Sequence, residues 1–371
     1  MLPEDRVYDA WLASAEMPYE WLIPLLYEKR ASRNVYRELV EEHRLLPEMI
    51  PETSRSILTV GSGVKQLETF RQLMERYKIQ SMTILDDDYP HCLRQIADPP
   101  GILFYRGNPE CMCSEKIAAM IGSRAASYAG LKAARRIACE LSRNNVVIVS
   151  GLAYGIDAEC HQGCIEGGSP TVGVMGCGLD QGYPSRNEAL KRDILSHGGV
   201  IISEYAPGSP PIGRHFPYRN RIISGLARTV ILMEARIRSG SMTTVGHALK
   251  QGREVYAYPG DPNSILSEAN RTLLREGARY FTEASDILAD MNWLDNLSHV
   301  RQNSVCPAQP FPGNASETAV CKALEKGALG FDELLQSTGL TSPELMSTLT
   351  MLQIHKMIDP LPGKKYQLSK S

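Results

Sequence analysis

Forty lysine and arginine side chains against forty-two aspartates and glutamates leave this 371-residue chain with a formal net charge of −2. That balance excludes a uniformly basic nucleic-acid coat and requires any anion site to come from local clustering. With 43% hydrophobic and 22% charged residues, the chain is globular rather than disordered, and its length suits two or three domains.

Nine scattered cysteines form no small disulfide framework and fit a reducing compartment. Met1-Leu2-Pro3-Glu4-Asp5-Arg6 lacks the basic start and apolar core of a signal peptide. Apolar runs such as Val146 to Ser150 are far too short to cross a bilayer. A cytoplasmic protein with no membrane partner is expected.

Residues 1–80 read as a helical domain. Trp11, Trp21, Leu22, Leu25, Leu26 and Tyr27 recur with helical spacing, and Pro18 and Pro51 separate the pieces. Gly61-Ser62-Gly63, ahead of Val64, Leu67, Phe70 and Leu73, fits a helix-hairpin-helix turn that touches a phosphate. It fits a plain helix–helix connection better, because two glycines in a turn are a weak motif.

Residues 81–291 change character. Short β-rich runs at Ile117–Ile121, Val146–Val149, Thr171–Met175, Val200–Ser203, Val230–Glu234 and Val255–Tyr258 alternate with helix-length segments. Near-continuous apolar strands separated by helices predict an α/β fold, an extended Rossmann-like parallel sheet covered on both faces. Right-handed crossovers then place every strand-to-helix loop on one edge, where such folds bind ligands.

Residues 292–313, with Pro307, Pro310, Pro312 and Gly313, read as a linker. Residues 314–371 read as a winged-helix-like domain. Two short helices precede a third that starts at the N-cap signal Ser342-Pro343-Glu344, and a two-stranded wing turns at Pro362-Gly363.

The loops carry the chemistry. In Gly122-Ser123-Arg124 the glycine admits close backbone approach, the serine suits an oxyanion, and the arginine forks onto phosphate. An ordinary turn with a surface arginine fits as well. Small residues from Ser150 and Gly151 to Gly155 leave backbone N–H groups for an anion or permit close helix-on-strand packing. Asp157 would repel a phosphate there, so it is assigned to capping or to orienting an arginine.

Gly176-Cys177-Gly178-Leu179-Asp180 invites a nicotinamide reading, with Glu204 ending the next strand, but its glycine spacing is wrong and Asp180 sits where pyrophosphate needs bare N–H groups. From Tyr205 through Met233 there is no acidic residue, while Arg214, Arg219, Arg221 and Arg228 all occur. His215-Phe216-Pro217-Tyr218-Arg219-Asn220-Arg221 therefore combines phosphate forks with flat faces for base stacking. Ser239-Gly240-Ser241, preceded by Arg236 and Arg238, again suits an anion or simple helix capping.

No Walker-type P-loop or nucleophile elbow is present in the sequence. Cys160-His161 with Cys164 could suggest a metal site but fits small core residues better, and Cys111-Met112-Cys113 lacks the two-residue spacing of common zinc ligands. No catalytic residue, metal or cofactor is expected. The main rival is a nucleotide- or nucleoside-phosphate-binding enzyme on a Rossmann-like sheet.

Taken in order, these motifs resemble the DNA-processing protein A (DprA/Smf) family. The resemblance runs from Gly122-Ser123-Arg124 through Ser150–Asp157, Gly176–Asp180, Phe216–Leu226 and Ser239–Ser241 to Gly252–Val255, Pro259-Gly260, Asn270 and Gly277-Ala278. Upstream, Tyr89-Pro90, Asp98-Pro99-Pro100 and Gly107-Asn108 continue it. The resemblance implies a homodimeric single-stranded DNA-binding protein that protects the strand and helps load the recombinase RecA, in natural transformation or related recombination.

Together the residues and the resemblance nominate Gly122, Ser123, Arg124, Gly151, Arg214, Phe216, Arg219, Asn220, Arg221, Ser239, Gly240 and Ser241 for single-stranded DNA or phosphate. Two departures stand out. Gly213-Arg214-His215 replaces a lysine common before Phe-Pro, and Glu268-Ala269 replaces a glycine before Asn270.

Overall fold

The computed structural model describes residues 4–43, 50–59, 64–294, 315–324, 327–354, 358–361 and 365–368. These fall into two compact units, 1–296 and 297–371. The Gly61-Ser62-Gly63 turn, residues 295–313 of the linker and the Pro362-Gly363 turn lie outside the described residues.

The first unit opens with five helices, α1 Val7–Ala13, α2 Tyr19–Lys29, α3 Ser32–Tyr36, α4 Glu52–Thr59 and α5 Val64–Tyr77. Strand β1 Gln80–Thr83, helix α6 His91–Arg94 and strand β2 Ile102–Gly107 follow. The repeating part then runs β3 Ile117–Ile121, α7 Tyr128–Ser142, β4 Val147–Ser150, α8 Ile156–Gly167, β5 Thr171–Val174, α9 Glu188–Ser196 and β6 Val200–Ser203. It continues with α10 His215–Leu226, β7 Thr229–Leu232, α11 Gly240–Lys250, β8 Glu254–Ala257, α12 Glu268–Arg275, β9 Arg279–Tyr280 and α13 Ala284–Asp290.

Every residue of β3 to β7 is buried, as expected where helices cover both faces of a parallel sheet. Helix α7 illustrates the covering. Ser127 caps it by accepting from Gly130 N at 3.0 Å, and its buried stripe of Ala134, Ile137, Ala138 and Leu141 has the period of one helix face.

The nine strands lie in the order β1-β2-β6-β5-β4-β3-β7-β8-β9. Strands β3 to β9 pair in parallel, while β2 joins β6 and β1 joins β2 antiparallel. The order reverses direction between β3 and β7, so loops on either side of that seam diverge and leave a crevice. Asn270 stitches the far side. Its Nδ2 reaches the carbonyls of Leu232, Met233 and Tyr258, and its Oδ1 accepts from Ala235 N at 3.1 Å. The Glu268-Ala269 departure leaves this network in place.

The N-terminal helices share a core with the sheet. Trp11, Leu12 and Leu25 pack in the same buried cluster as Met82, Leu103 and Phe104. Buried Asp9 accepts from Ser32 Oγ at 2.6 Å and Ser81 Oγ at 2.7 Å, tying α1 to α3 and β1. Trp293, read from sequence as linker, packs 7% exposed in a second cluster, and its carbonyl accepts from Lys116 Nζ.

The second unit contains α14 Ala315–Leu324, β10 Leu329–Gly330, α15 Phe331–Thr338, α16 Ser342–Ile354, β11 Ile358–Leu361 and β12 Lys365–Leu368. Three helices stand beside an antiparallel sheet ordered β10-β12-β11. Val320, Leu334, Leu345, Leu349 and Leu352 fill its core. This is a winged-helix domain. Its third helix is capped one residue earlier than expected, with Glu344 accepting from Thr341 N and Oγ1 at 3.0 and 2.7 Å.

Candidate nucleic-acid interface

The carboxyl ends of β3, β4 and β5 and the start of α10 enclose a pocket lined by Arg124, Gly151, Tyr154, Tyr183, Phe216 and Arg219, among others. Phe216 lies over Gly176, where a Cβ would come 3.0 Å from the ring. A side chain there would press on the ring, which would have to shift by a few tenths of an ångström. Tyr183 tilts against Phe216 with ring centroids 5.3 Å apart. Tyr154 stands at the mouth, with the Arg186 guanidinium 5.8 Å from its ring centre. Arg124 is exposed and has no ion-pair partner among the described residues.

Arg219 forms the floor rather than an open fork. It is 4% exposed, and its Nη1 donates to Gly151 O at 2.9 Å and to Val174 O. Asp157 faces it across Gly151, accepting from Gly151 N at 3.1 Å and Ala153 N at 3.4 Å. Burial pulls Arg219 down to about 10, with Asp157 opposing. Burial likewise pushes the Asp157 carboxyl up, with Arg219 opposing.

A Cβ on Gly151 would lie 2.8 Å from both guanidinium nitrogens and from Asp157 Oδ2. Gly151 therefore serves packing around opposed charges. Its N–H and carbonyl are both engaged inside the protein, which corrects the expectation that it greets an anion.

Arg221 is the second correction. Two residues after Arg219, it points about 200° around the helix. Its side chain is 1% exposed and forks onto Glu204 with two bonds of 2.6 Å. Its Nε donates to Asp98 O at 2.9 Å and lies 3.1 Å from Asp98 Oδ2, and the guanidinium sits 3.8 Å from the Tyr218 ring centre. Burial works against its charge, but Glu204 outweighs it and the pKa is raised. No face of it is left for phosphate. The acid-free stretch in the sequence misses carboxylates that arrive from outside it.

The remaining nominees divide. Gly122 has its virtual Cβ 2.6 Å from Ile156 Cγ1, so it allows β3 to meet α8. Ser123 Oγ accepts from Ala125 N at 3.1 Å, and its N–H donates to Glu234 O at 2.7 Å. Both shape the turn that presents Arg124. Asn220 donates to Gly240 O at 3.3 Å. Ser241 Oγ donates to Gly122 O at 2.8 Å, and Ser239 Oγ is buried without a partner.

The Ser241 hydroxyl is thus engaged within the protein and the Ser239 hydroxyl is buried, so neither is presented as an open phosphate donor. Arg214 is exposed but 3.3 Å from Glu16 Oε2, at the turn between α1 and α2. His215 Nε2 lies at the same distance from that oxygen, without hydrogen-bond alignment.

The sequence reading missed Glu234. At the β3–β7 seam its carboxylate accepts from Ser127 N at 2.8 Å and Ser127 Oγ at 2.6 Å, against the first turn of α7. Helix starts at such seams commonly hold ligand phosphates. Here the protein's own carboxylate closes it, as Asp157 closes the loop before α8. Asp180 likewise accepts from Gly208 N at 2.8 Å. Tyr154 also went unread as a pocket wall, as did Arg186 beside its ring; an aromatic and an arginine in facing loops were the available signal.

Comparison with known proteins adds relatives. The family described as DNA recombination-mediator protein A matches residues 80–292, and the DprA winged helix domain matches residues 306–364. DNA processing protein DprA of Streptococcus pneumoniae is 42% identical over 228 residues, covering 62% of this chain and 80% of that one. Protein Smf of Escherichia coli is 33% identical over 290 residues, covering 76% of each.

Among solved structures, DNA processing protein A from S. pneumoniae superposes with a TM-score of 0.62 at 34% identity, over 78% of this chain and 98% of that one. DNA processing protein A from Helicobacter pylori, solved for its single-stranded DNA binding mode, gives 0.53 at 28% identity, over 58% and 97%.

Proposed function

This chain belongs to the DNA recombination-mediator protein A family, and from that premise we propose that it binds single-stranded DNA at the loop edge of its sheet, protects it and helps load RecA. The observation that carries the reading is the pocket itself. An unpaired, exposed Arg124 stands beside three aromatic rings, above a buried guanidinium. Exposed arginine takes phosphate, and ring faces take bases of any identity, at roughly 1–3 kcal/mol for each stacked base.

The rival nucleotide-enzyme reading is disfavoured by Glu234, which sits against the start of α7, and by Asp157, which takes the N–H groups of the loop before α8. We read the chain as a binding protein rather than a catalyst. Titration calorimetry with mononucleotides separates the two, since tight one-to-one binding with turnover belongs only to the enzyme.

Arg124→Ala tests the pocket. Affinity for a single-stranded oligonucleotide is expected to fall about tenfold, and the slope of log K against log salt to become shallower by about 0.7. Stability should move by no more than about 0.5 kcal/mol, because the side chain is exposed. Wild-type affinity with wild-type slope removes the pocket.

Homodimerisation and RecA contact rest on family membership. Sedimentation checks the first, and RecA filament assembly on coated single strands checks the second. Helix α16 carries no basic residue between Ser342 and Ile354, which favours protein contact over duplex reading for the winged helix. No helix among the described residues is long and apolar enough to cross a membrane, and we place the protein in the cytoplasm with its DNA.

A further inference from the structure

The loop joining β7 to α11 carries two arginines that the pocket does not use. Arg236, Ile237 and Arg238 are all exposed, Ile237 at 48%. Neither arginine has an ion-pair partner among the described residues. No acidic residue occurs from Ala235 to Arg253, and Glu234 just before them is turned inward onto Ser127. Positive charge on this loop is therefore uncompensated locally.

Three contacts bind this loop and the start of α11 to the turn that presents Arg124 and to α10. Ser123 N donates to Glu234 O at 2.7 Å, Ser241 Oγ to Gly122 O at 2.8 Å, and Asn220 Nδ2 to Gly240 O at 3.3 Å. Beneath them β7 runs parallel to β3, with Leu232 opposite Ile121, so the two loops leave the sheet about 4.8 Å apart. The pocket opens over β3, β4 and β5, and the arginine loop continues the same edge over β7.

We propose that the bound single strand does not end at the pocket but crosses the β3–β7 seam, laying successive phosphates on Arg236 and Arg238. The exposed Ile237 side chain lies between them, against the sugar face. Guanidinium on phosphate reads no base, so this stretch adds length and salt sensitivity without adding sequence preference. The seam suits passage rather than capture, because Glu234 has closed the helix start where a phosphate would otherwise lodge. This path rests on the pocket reading above and extends it.

The test is the double variant Arg236→Ala/Arg238→Ala, measured against oligothymidylates of about 4 and about 16 nucleotides. The short strand should bind as in wild type. The long strand should bind about tenfold more weakly, with a salt slope shallower by about 1.4, the contribution of two phosphates on a single strand. Arg236→Lys/Arg238→Lys should retain most of that slope, which a purely structural role of the loop would not require.

Equal affinity and slope for the long strand in the variant and wild type overturn the path. So does an equal loss on both lengths, which would make the loop a support for the pocket. A change of sedimentation with binding intact also overturns it, placing the loop between two copies of the chain. Arg124→Ala, run in parallel, separates the two readings. Loss on both lengths there, with no effect of the double variant, ends the path and leaves the pocket. Loss only in the double variant removes the pocket and leaves the arginine loop as the binding site.

Discussion

Arg219→Ala is expected to lower the unfolding free energy by about 3–5 kcal/mol and, with it, single-strand binding. The guanidinium is 4% exposed and holds the carbonyls of Gly151 and Val174. Removing it leaves both carbonyls without that donor and leaves Asp157, 8% exposed, as a buried carboxylate with its opposing charge gone. Against a total stability of about 5–15 kcal/mol for an ordinary domain, the loss is large.

Urea denaturation measures it. The variant Arg219→Ala/Asp157→Ala should be less destabilised than the two single variants added together, by about 0.5–3 kcal/mol, because the carboxylate that suffers is also gone. Strict additivity would mean that the two charges do not feel each other across Gly151. Binding by Arg219→Ala must be read at concentrations of folded protein, and Arg124→Ala supplies the comparison in which stability does not move.

Arg221→Ala should be as costly to stability, about 3–5 kcal/mol, yet leave the salt slope of binding unchanged in the folded molecule. The side chain neutralises Glu204 through two bonds and also reaches Asp98. Its loss leaves two partly buried carboxylates facing one another. Arg221→Met/Glu204→Gln removes the closest pair of charges, leaving the more exposed Asp98, and should recover part of the loss. Thermal denaturation and a salt series on the same preparations decide the matter. A shallower slope in Arg221→Ala would mean that this arginine meets the strand despite its burial.

These two variants differ in a way that the sequence conceals. Both arginines lie in one acid-free run and look alike beside Phe216. Only the arrival of Glu204 and Asp98 from one side, and of Asp157 from the other, sorts them. Glu204 and Asp157 were visible as acidic residues near strand ends, and Asp157 was assigned to capping or orienting an arginine. Its position opposite Arg219 agrees with that role. Which arginine each acid would meet required the packing of α10 against β3, β4 and β5.

The strands of the parallel sheet were legible because each is an apolar run bounded by turn residues, as at Ile117–Ile121 and Val200–Ser203. The antiparallel pair β1 and β2 was not. Gln80–Thr83 is four residues long with three polar side chains, and Ile102–Gly107, although apolar, has no covering helix pattern beside it to place it in the sheet. For the same reason the N-terminal helices read as a separate block, although Trp11 and Phe104 share a core.

By itself the amino-acid sequence determined that strands alternate with covering helices, and hence that the loops carrying Arg124, Phe216 and Arg236 gather on one edge. That follows from local pattern and the handedness of crossovers. The tertiary structure alone decided which charges on that edge remain open. Whether an arginine meets solvent or a carboxylate depends on side chains brought together from distant strands, and neither residue type nor spacing encodes that meeting.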